Sequence, residues 1–259
     1  MHPKIWLIGG TSDSATIAQN FAALSIPFVV TVTTATAKAL YTDSAAVVVG
    51  CMNKKMMRSL CLQNQIEAVV DASHPYAIEV STQAIAVTTE LHLPYLRYER
   101  GNCPTAAVQN DSVIELDSFD RLLAGNYLCC QRVLLTVGCK VLPRFQAWQD
   151  KATLFARVLP KMASLETALD AGFTSERLIA IRPPLNLALE KALWQQWQIS
   201  LVVIKASGRA GGEDLKRQVA KDLGVSLIII TRPSIIYPRQ TSDMKEVWNF
   251  CQQLAASNK

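Results

Sequence analysis

An apolar, β-prone run near the start of the chain ends in two glycines: residues 4–11 read KIWLIGGT. Residues 12–24 follow with helical spacing, since Ile17, Phe21 and Leu24 fall on one stripe. A strand that turns through glycines directly into a helix is typical of the opening of a βαβ unit. This stretch therefore predicts an α/β fold that begins at the amino terminus.

The alternation of strand and helix patterns continues in two series. The first predicts strands at 4–9, 28–33, 47–49, 67–71 and 95–98 and helices at 12–24, 56–64 and 78–90. The second follows residues 125–126, with strands at 132–136, 153–158, 178–181, 201–205 and 227–231 and helices at 165–171, 185–196, 211–223 and 242–256. We therefore predict two Rossmann-like α/β/α domains, residues 1–128 and 129–259, with mainly parallel sheets and a ligand cleft between them.

The composition of the 259 residues argues against several classes of protein. Half of the residues are hydrophobic and only 7% are aromatic, so aliphatic side chains must fill the core. The net charge of +5 is spread along the chain, which argues against a nucleic-acid partner. No apolar run reaches the roughly 18 residues of a membrane span, and no signal-peptide pattern is present. We expect a cytoplasmic protein, monomeric or weakly dimeric.

Cysteine and histidine spacing predicts that the protein holds no metal. The seven cysteines are odd in number and form no C-x-x-C pair. His2, His74 and His92 do not join them at metal-ligand spacing. Free thiols instead indicate a reducing compartment.

Gly9, Gly10, Thr11 and Ser12 are the first candidates for cofactor binding. Glycines at a strand end let a phosphate approach the N–H groups of the turn, and the dipole of the following helix favours an anion there. The two hydroxyl groups could bind phosphate or cap the helix. A small residue replaces the third glycine of G-x-G-x-x-G, so the motif alone is also compatible with a plain strand-to-helix turn.

The end of the second predicted strand indicates which dinucleotide would bind. NAD sites carry Asp or Glu about 20 residues after the glycines, to hold the ribose 2′-hydroxyl. Residues 31–38 read TVTTATAK and contain no carboxylate. Thr33, Thr34 and Lys38 could hold a 2′-phosphate, although the threonines are also ordinary strand residues. We therefore predict NADP(H) as the cofactor.

Residues 71–77 (DASHPYA) follow the fourth predicted strand. Ligands of open α/β sheets bind at the carboxyl ends of strands, so we expect Ser73, His74 and Pro75 to contact the cofactor. Tyr76 offers a flat face to a ring of the substrate or the cofactor. His74 could equally be a hydrogen-bonded loop residue without a chemical role, and Tyr76 a packing residue.

Taken in order along the chain, these segments resemble the precorrin-6A reductase family of corrin-ring biosynthesis. The resemblance covers residues 4–233 and includes segments 9–11, 71–77, 95–97, 99–100, 132–138, 157–160, 205–208, 211–212, 216 and 232–233. It implies reduction of one double bond of precorrin-6A, or of its cobalt complex, by NADPH to give precorrin-6B. The chain departs from the family pattern at Asp13, Tyr76, Gly101 and Leu185.

A tetrapyrrole with many carboxylates implies cations and anion-binding loops around it. The residues predicted to bind substrate are Tyr76, Arg97, Arg157, Lys205, Ser207, Gly208, Gly211, Gly212, Lys216 and Arg232. Each cation could instead be a solvated surface charge, and the glycine-rich stretch a flexible loop. No proton donor is identified, and His74, Tyr76 and Lys205 are the candidates.

Two other functions fit parts of the pattern. A short-chain reductase or epimerase of the same fold would need a Tyr-x-x-x-Lys pair, and no tyrosine here has Lys four residues later. A non-catalytic NADP-binding redox sensor would keep the glycine turn but would not need the second glycine-rich loop. Binding of NADPH without turnover would favour the sensor.

Overall fold

The structure is a computed structural model in which residues 4–41, 45–101 and 112–257 are described. The first part of the chain alternates strands and helices. In chain order these are β1 (Ile5–Ile8), α1 (Ser12–Ala23), β2 (Phe28–Val32), α2 (Ala35–Lys38), β3 (Ala46–Val49), α3 (Lys54–Gln63), β4 (Ala68–Asp71), α4 (Ile78–Glu90) and β5 (Tyr95–Tyr98).

The middle of the chain repeats this alternation. It contains β6 (Val113–Leu116), α5 (Phe119–Ala124), β7 (Arg132–Leu135), β8 (Thr153–Val158), α6 (Met162–Asp170), β9 (Leu178–Ala180), α7 (Leu187–Gln196), β10 (Leu201–Lys205), α8 (Glu213–Leu223) and β11 (Ser226–Ile230). Short 3₁₀ helices lie at Cys139–Trp148, Ser175–Arg177 and Arg209–Gly211. The chain ends with β12 (Gln240–Thr241) and α9 (Met244–Ser257).

All pairings within the two six-stranded sheets are parallel, which confirms the predicted fold class. The first sheet has the order β12-β5-β4-β1-β2-β3 and the second β6-β11-β10-β7-β8-β9. In the first, the chain runs from β1 outward to β3 and then returns to β4. The strand order therefore reverses between β1 and β4, and in the second sheet between β7 and β10. Such reversals form the crevices where α/β sheets bind ligands.

Each sheet is covered on both faces. Along β1 the side chains alternate between two cores: Ile5 and Leu7 pack with α1 and α9, whereas Trp6 and Ile8 pack with α3 and α4. The second sheet is sandwiched in the same way. Because both faces are buried there, the central strands are mainly apolar, as in β1 (IWLI) and β11 (SLIII).

The structure divides the chain differently from the sequence prediction of 1–128 and 129–259. One compact unit comprises Met1–Gly101 and Ser234–Lys259, and the other comprises Asn102–Pro233. The cause lies in two strands that the sequence did not reveal. β6 pairs with β11, so it belongs to the second sheet, and β12 pairs with β5, so the carboxyl terminus belongs to the first. Among the described residues, no helix combines the length and apolar character needed to cross a membrane.

Candidate cofactor and substrate site

The glycine turn lies at the strand-order reversal of the first sheet. The amide of Gly9 donates to the carbonyl of Thr31 at 2.9 Å, which extends the pairing of β1 with β2. Gly10 has a φ of +103°, and a Cβ placed there would meet no atom within 4 Å. The turn thus needs glycine for its backbone conformation and leaves open space beside Gly10.

Gly9 is required for a different reason, which the sequence did not show. A Cβ at position 9 would lie 2.2 Å from the hydroxyl oxygen of Tyr41, the residue that follows α2 by three positions. That oxygen accepts a hydrogen bond from the Gly10 amide at 2.8 Å and lies 2.6 Å from Ser14 Oγ. Tyr41 therefore reaches from the segment after β2 into the glycine turn.

The start of α1 is held by a reciprocal cap. The Ser14 amide donates to Thr11 Oγ1 at 3.1 Å, and the Thr11 amide donates to Ser14 Oγ at 3.0 Å. Thr11 Oγ1 also donates to the carbonyl of Ala72 at 2.8 Å, joining the loops after β1 and β4. Thr11 is thus used within the turn, and the amides of Ser12 and Asp13 are the remaining donors of the first helical turn.

An ion pair stands beside this helix start. Arg100 Nη1 lies 3.3 Å from Asp13 Oδ2, and both side chains are mostly buried. The cation offsets the acidic side chain that would otherwise oppose an anion at the amino end of α1.

The predicted 2′-phosphate residues lie together after β2. Thr33, Thr34 and Lys38 are all exposed. Thr34 caps α2 by accepting from the Ala37 amide at 3.2 Å, and Lys38 is the last residue of that helix. The structure thus groups them next to the glycine turn, to which Tyr41 connects them.

Arg97 belongs to a buried network of hydrogen bonds and ion pairs. Its side chain has no exposed area, and Nη1 donates to Asp71 Oδ1 at 2.9 Å and to Ser73 Oγ at 3.0 Å. Nη2 donates to Glu99 at 2.9 Å. Burial lowers the pKa of Arg97, but Asp71, Tyr237 and Glu99 raise it by more, so the guanidinium stays charged. The structure thus gives Arg97 internal partners, and its contact with substrate stays a prediction.

Asp71 is the centre of that network. Its Oδ2 accepts from Ser81 Oγ and Tyr95 Oη, each at 2.6 Å, and its Oδ1 accepts from the Ser73 amide at 2.9 Å. Burial, followed by the charge of Asp71, raises the pKa of Tyr95. The role of Asp71 is not visible from its place in the motif: it fixes the backbone that carries the loop after β4.

The loop after β4 presents His74 at the same strand-order reversal. His74 is exposed, Ser73 and Pro75 are buried, and Tyr76 is half-buried. The Tyr76 amide donates a hydrogen bond to His74 Nδ1 at 3.3 Å. Because Nδ1 accepts, a neutral His74 imidazole carries its proton on Nε2. The two rings lie 5.9 Å apart. His74 and Tyr76 therefore form the accessible part of this loop, whereas Ser73 supports it.

Lys205 lies at the carboxyl end of β10, which borders the strand-order reversal of the second sheet as β4 borders that of the first. It is the last residue of β10 and is half-buried, with Nζ 5.7 Å from the centre of the Phe119 ring. Burial lowers its pKa, and so does nearby Lys140, in the segment after β7, while Cys139 acts in the opposite direction. This lysine releases a proton more readily than an ordinary one.

The glycine-rich loop after β10 is already filled by the protein's own groups. The Gly208 amide donates to the buried Glu213 carboxylate at 3.0 Å. Lys216 Nζ donates to the carbonyls of Gly211 and Gly212 at 3.1 and 3.2 Å, and Lys216 is only 6% exposed. A Cβ at Gly211 would lie 2.0 Å from Ser207 Oγ. Gly208 and Lys216 thus have internal partners, and their contact with substrate stays a prediction.

Arg157 and Arg232, the two other cations predicted to bind substrate, also have partners within the protein. Arg157 Nη1 donates to both carboxylate oxygens of Glu190 at 2.9 and 2.6 Å, and Glu190 is 1% exposed. Arg232 Nε donates to the carbonyl of Ala206 at 3.0 Å and is half-buried. Arg157 thus neutralises a buried acid on α7, and Arg232 ties the chain after β11 to the end of β10.

No cluster of metal-ligating side chains occurs among residues 4–41, 45–101 and 112–257. His2 and one of the seven cysteines, Cys103, lie outside those ranges.

Comparison with known proteins agrees with this architecture. The model of the family described as precorrin-6x reductase CbiJ/CobK matches residues 4–252. A cobalt-precorrin-6A reductase of Synechocystis sp. is 46% identical over 96% of both chains, and one of Priestia megaterium is 31% identical over 94% of this chain and 96% of that one. The solved structure of a CobK precorrin-6A reductase superposes with a TM-score of 0.79 over 98% of each chain, at 20% identity.

The family match spans both sheets and the segments at their strand-order reversals, and the similarity to both relatives extends over nearly their whole lengths. The chain is therefore an oxidoreductase that belongs to the CbiJ/CobK precorrin-6x reductase family.

Proposed function

We propose that this protein uses NADPH to reduce one double bond of a precorrin-6A macrocycle, with the cobalt complex as the preferred form. The observation that carries the proposal is the position of the glycine turn, which lies where the strand order of the first sheet reverses. Two relatives that match over nearly their whole length are named for the cobalt complex. Cobalt is part of the substrate in this proposal and is not held by the protein.

The residues of the first unit fit a dinucleotide with a 2′-phosphate. The amides of Ser12 and Asp13 belong to the first turn of α1, and a Cβ placed at Gly10 would meet no atom within 4 Å. Thr33 and Lys38 are exposed after β2, in a stretch without a carboxylate that would repel the extra phosphate. When bound, NADPH supplies a hydride, and His74 and Tyr76 lie on the neighbouring loop to orient the nicotinamide.

Of the candidate proton donors His74, Tyr76 and Lys205, we propose Lys205. It ends β10 at the reversal of the second sheet, and its lowered pKa suits a general acid. As a cation it also suits a substrate rich in carboxylates. The cations at Arg97, Arg157 and Lys216 have a supporting role, because each is held by internal acceptors.

Turnover tests the proposal directly. Purified protein mixed with NADPH and cobalt-precorrin-6A should oxidise NADPH and convert the macrocycle in equal amounts, faster than with the metal-free substrate. Binding of NADPH without turnover on either substrate would contradict the proposal and favour a sensor. Sedimentation of the same sample tests the expected monomer or weak dimer, and cell fractionation the expected cytoplasmic location.

The coenzyme preference has its own test. Lys38→Ala should raise KM for NADPH about 10-fold, since a charge-assisted hydrogen bond to phosphate contributes roughly 1.5 kcal/mol or more, and should leave KM for NADH unchanged. Lys54→Ala, at another exposed lysine, is the matched control. Equal effects on both coenzymes would refute the role of Lys38.

Lys205→Met tests proton delivery. We expect kcat to fall roughly 100-fold or more, the usual contribution of a general acid, with the Kd for NADPH unchanged. Lys140→Met, at the exposed neighbour, should retain most of the activity. A Lys205→Met enzyme with normal kcat and a normal pH profile would exclude Lys205 as the donor.

A further inference from the structure

Cys129 and Cys130 are consecutive, exposed cysteines whose sulfur atoms lie 3.7 Å apart. They precede β7, so they stand at the amino ends of the strands of the second sheet. The cofactor and substrate residues described above stand at the carboxyl ends. This thiol pair therefore belongs to a different part of the molecule from the reductase site.

Backbone hydrogen bonds hold the pair in place. The Cys129 amide donates to the carbonyl of Asn126 at 3.2 Å, and the Cys130 amide donates to the carbonyl of Lys151 at 2.9 Å. The next amide, that of Gln131, donates to the carbonyl of Leu128 at 3.1 Å. The two sulfur atoms are thus carried by an ordered turn.

Cys130 opens onto a polar cavity of about 250 Å³. Lys151 and Arg177 contribute positive charge to its wall, Asp150 contributes the one carboxylate among the lining residues, and the amides of Gln131 and Gln149 add hydrogen-bonding groups. A cavity of this kind suits a small ligand with more than one carboxylate.

The two thiols are not equivalent. The pKa of Cys129 is raised, first by its hydrogen bond to Cys130 and then by the negative charge that Cys130 carries when ionised. Of the two cysteines, only Cys130 is among the residues that line the cavity, so we take Cys130 as the nucleophile toward a ligand bound there. In contrast, burial raises the pKa of Cys61 to about 11 and that of Cys251 to about 12, which makes those thiols unreactive.

We propose that Cys129 and Cys130 form a thiol-modification site, in which Cys130 reacts with an anionic low-molecular-weight disulfide and Cys129 resolves the product. The probe is glutathione disulfide, whose carboxylates complement Lys151 and Arg177.

The reaction balances in two exchanges. The Cys130 thiolate attacks one probe sulfur, a protein–glutathione disulfide forms, the probe disulfide breaks, and one glutathione thiolate leaves. Cys129 then gives up its proton to solvent and attacks the Cys130 sulfur, which forms a Cys129–Cys130 disulfide and releases the second glutathione thiolate. The protein loses two electrons, and the probe disulfide gains them.

Intact-mass measurement of the full chain after exposure to glutathione disulfide tests the order of events. Wild type should lose two thiols and keep no adduct at this pair, whereas Cys129→Ser should keep one glutathione on Cys130. In Cys130→Ser, the remaining Cys129 should react no faster than Cys51, an exposed cysteine elsewhere in the chain. Peptide mapping distinguishes modification of this pair from modification of the other cysteines. Cys51→Ser, which leaves the pair intact, is the matched control. Rapid modification of Cys129 in Cys130→Ser would overturn the assignment of the nucleophile.

Charge selectivity is measured with two probes. Lys151→Gln and Arg177→Gln should each slow the reaction with glutathione disulfide about 3-fold or more, since the cations attract the anionic probe, and should not change the rate with the neutral 2-hydroxyethyl disulfide. Equal slowing with both probes, or no slowing, would exclude the cavity as a recognition site. Neither assay uses the tetrapyrrole or NADPH, so its outcome is independent of the proposed reductase function.

Discussion

A side chain at position 9 would collide with the Tyr41 hydroxyl, since a Cβ there lies 2.2 Å from Oη. Gly9, which the motif suggests as a phosphate-binding residue, thus makes room for the Tyr41 side chain. Gly10, with its φ of +103° and open surroundings, needs glycine for its backbone conformation, and its contact with a phosphate stays a prediction. At this scale, two neighbouring glycines serve different purposes that the motif does not distinguish.

Tyr41→Phe should weaken NADPH binding about 2- to 10-fold, the range expected when a hydrogen bond of roughly 0.5–1.5 kcal/mol is lost. The Gly10 amide would lose its acceptor, and the turn would be less well ordered for phosphate. Titration calorimetry measures the Kd. Tyr127→Phe, on the second unit, is the control, and an unchanged or lower Kd for Tyr41→Phe would contradict this role.

Lys216 is a buried cation with acidic and backbone partners. Burial, and then the charge of Arg157, lowers its pKa from the ordinary value of 10.5 to about 8, although Glu190 and Glu213 oppose the shift. Between those two pH values the unfolded chain binds a proton that the folded protein does not. Stability therefore rises with pH across this window, because the cost of burying the charged form is relieved.

As the pH rises from 7.5 to 10, the free energy of unfolding of wild type should increase relative to that of Lys216→Met. The increase should be at most about 3 kcal/mol, since one pKa unit corresponds to about 1.4 kcal/mol. Urea unfolding of both proteins across the pH series measures the difference, and the variant removes the contributions of all other groups. A constant difference, or a decline, would show that the folded-state pKa of Lys216 is not lowered.

At the scale of secondary-structure elements, a buried ion pair between Arg97 and Asp71 holds the carboxyl ends of β4 and β5 together. Arg97 on β5 joins Asp71 at the end of β4 to Ser73 in the following loop, and Tyr237 lies over the guanidinium at 5.3 Å from its ring centre. The loop that presents His74 thus depends on contacts from a neighbouring strand and from the returning chain. A precise loop position is what hydride transfer requires.

Arg97→Met should destabilise the protein by about 3–5 kcal/mol, because it leaves Asp71 buried without its cation. Asp71→Asn combined with Arg97→Met should cost less than the sum of the two single changes. Urea unfolding of the four proteins gives the coupling. Arg58→Met, which breaks the exposed Arg58–Glu90 pair, is the control and should cost less than about 1 kcal/mol. Additive costs would argue against the buried pair.

At the scale of the whole molecule, the first sheet receives its sixth strand from a distant part of the chain, whereas the second sheet is built from one continuous segment. β6 precedes the other strands of the second sheet, and β12 follows all of them before completing the first. Helix α9 then buries Val247, Phe250 and Cys251 in the core shared with α1. The chain consequently passes twice between the units, at Gly101–Asn102 and at Pro233–Ser234.

A chain that ends at Pro233 should lose the first unit and keep the second. Removal of α9 exposes the core around Phe21, whose ring packs edge-on against Trp248 with centroids 5.8 Å apart. Hydrogen exchange followed by mass spectrometry should show lost protection in β1–β5 and retained protection in β7–β11. A chain that ends at Ser257 is the control. Full protection of β1–β5 after truncation would contradict the contribution of α9.

Sequence alone determined most elements of both sheets, the glycine turn and the stretch without carboxylates after β2, because these features are local. Helix and strand patterns arise from side chains a few residues apart, and α4 and β5 were predicted at their observed bounds. β6, half of it exposed, and β12, with two residues, carry too little pattern to be recognised without their partner strands.

Tertiary structure alone decided which charged residues have partners within the protein. Arg97 and Arg157 carry the charge that a carboxylate-rich substrate requires, yet each donates to a carboxylate on another element. Tyr41 was overlooked because its contact with Gly10 spans thirty-one positions. The physical reason is common to these cases: a side chain's charge is set by its own chemistry, whereas its partner and its exposure depend on which distant segments fold against it.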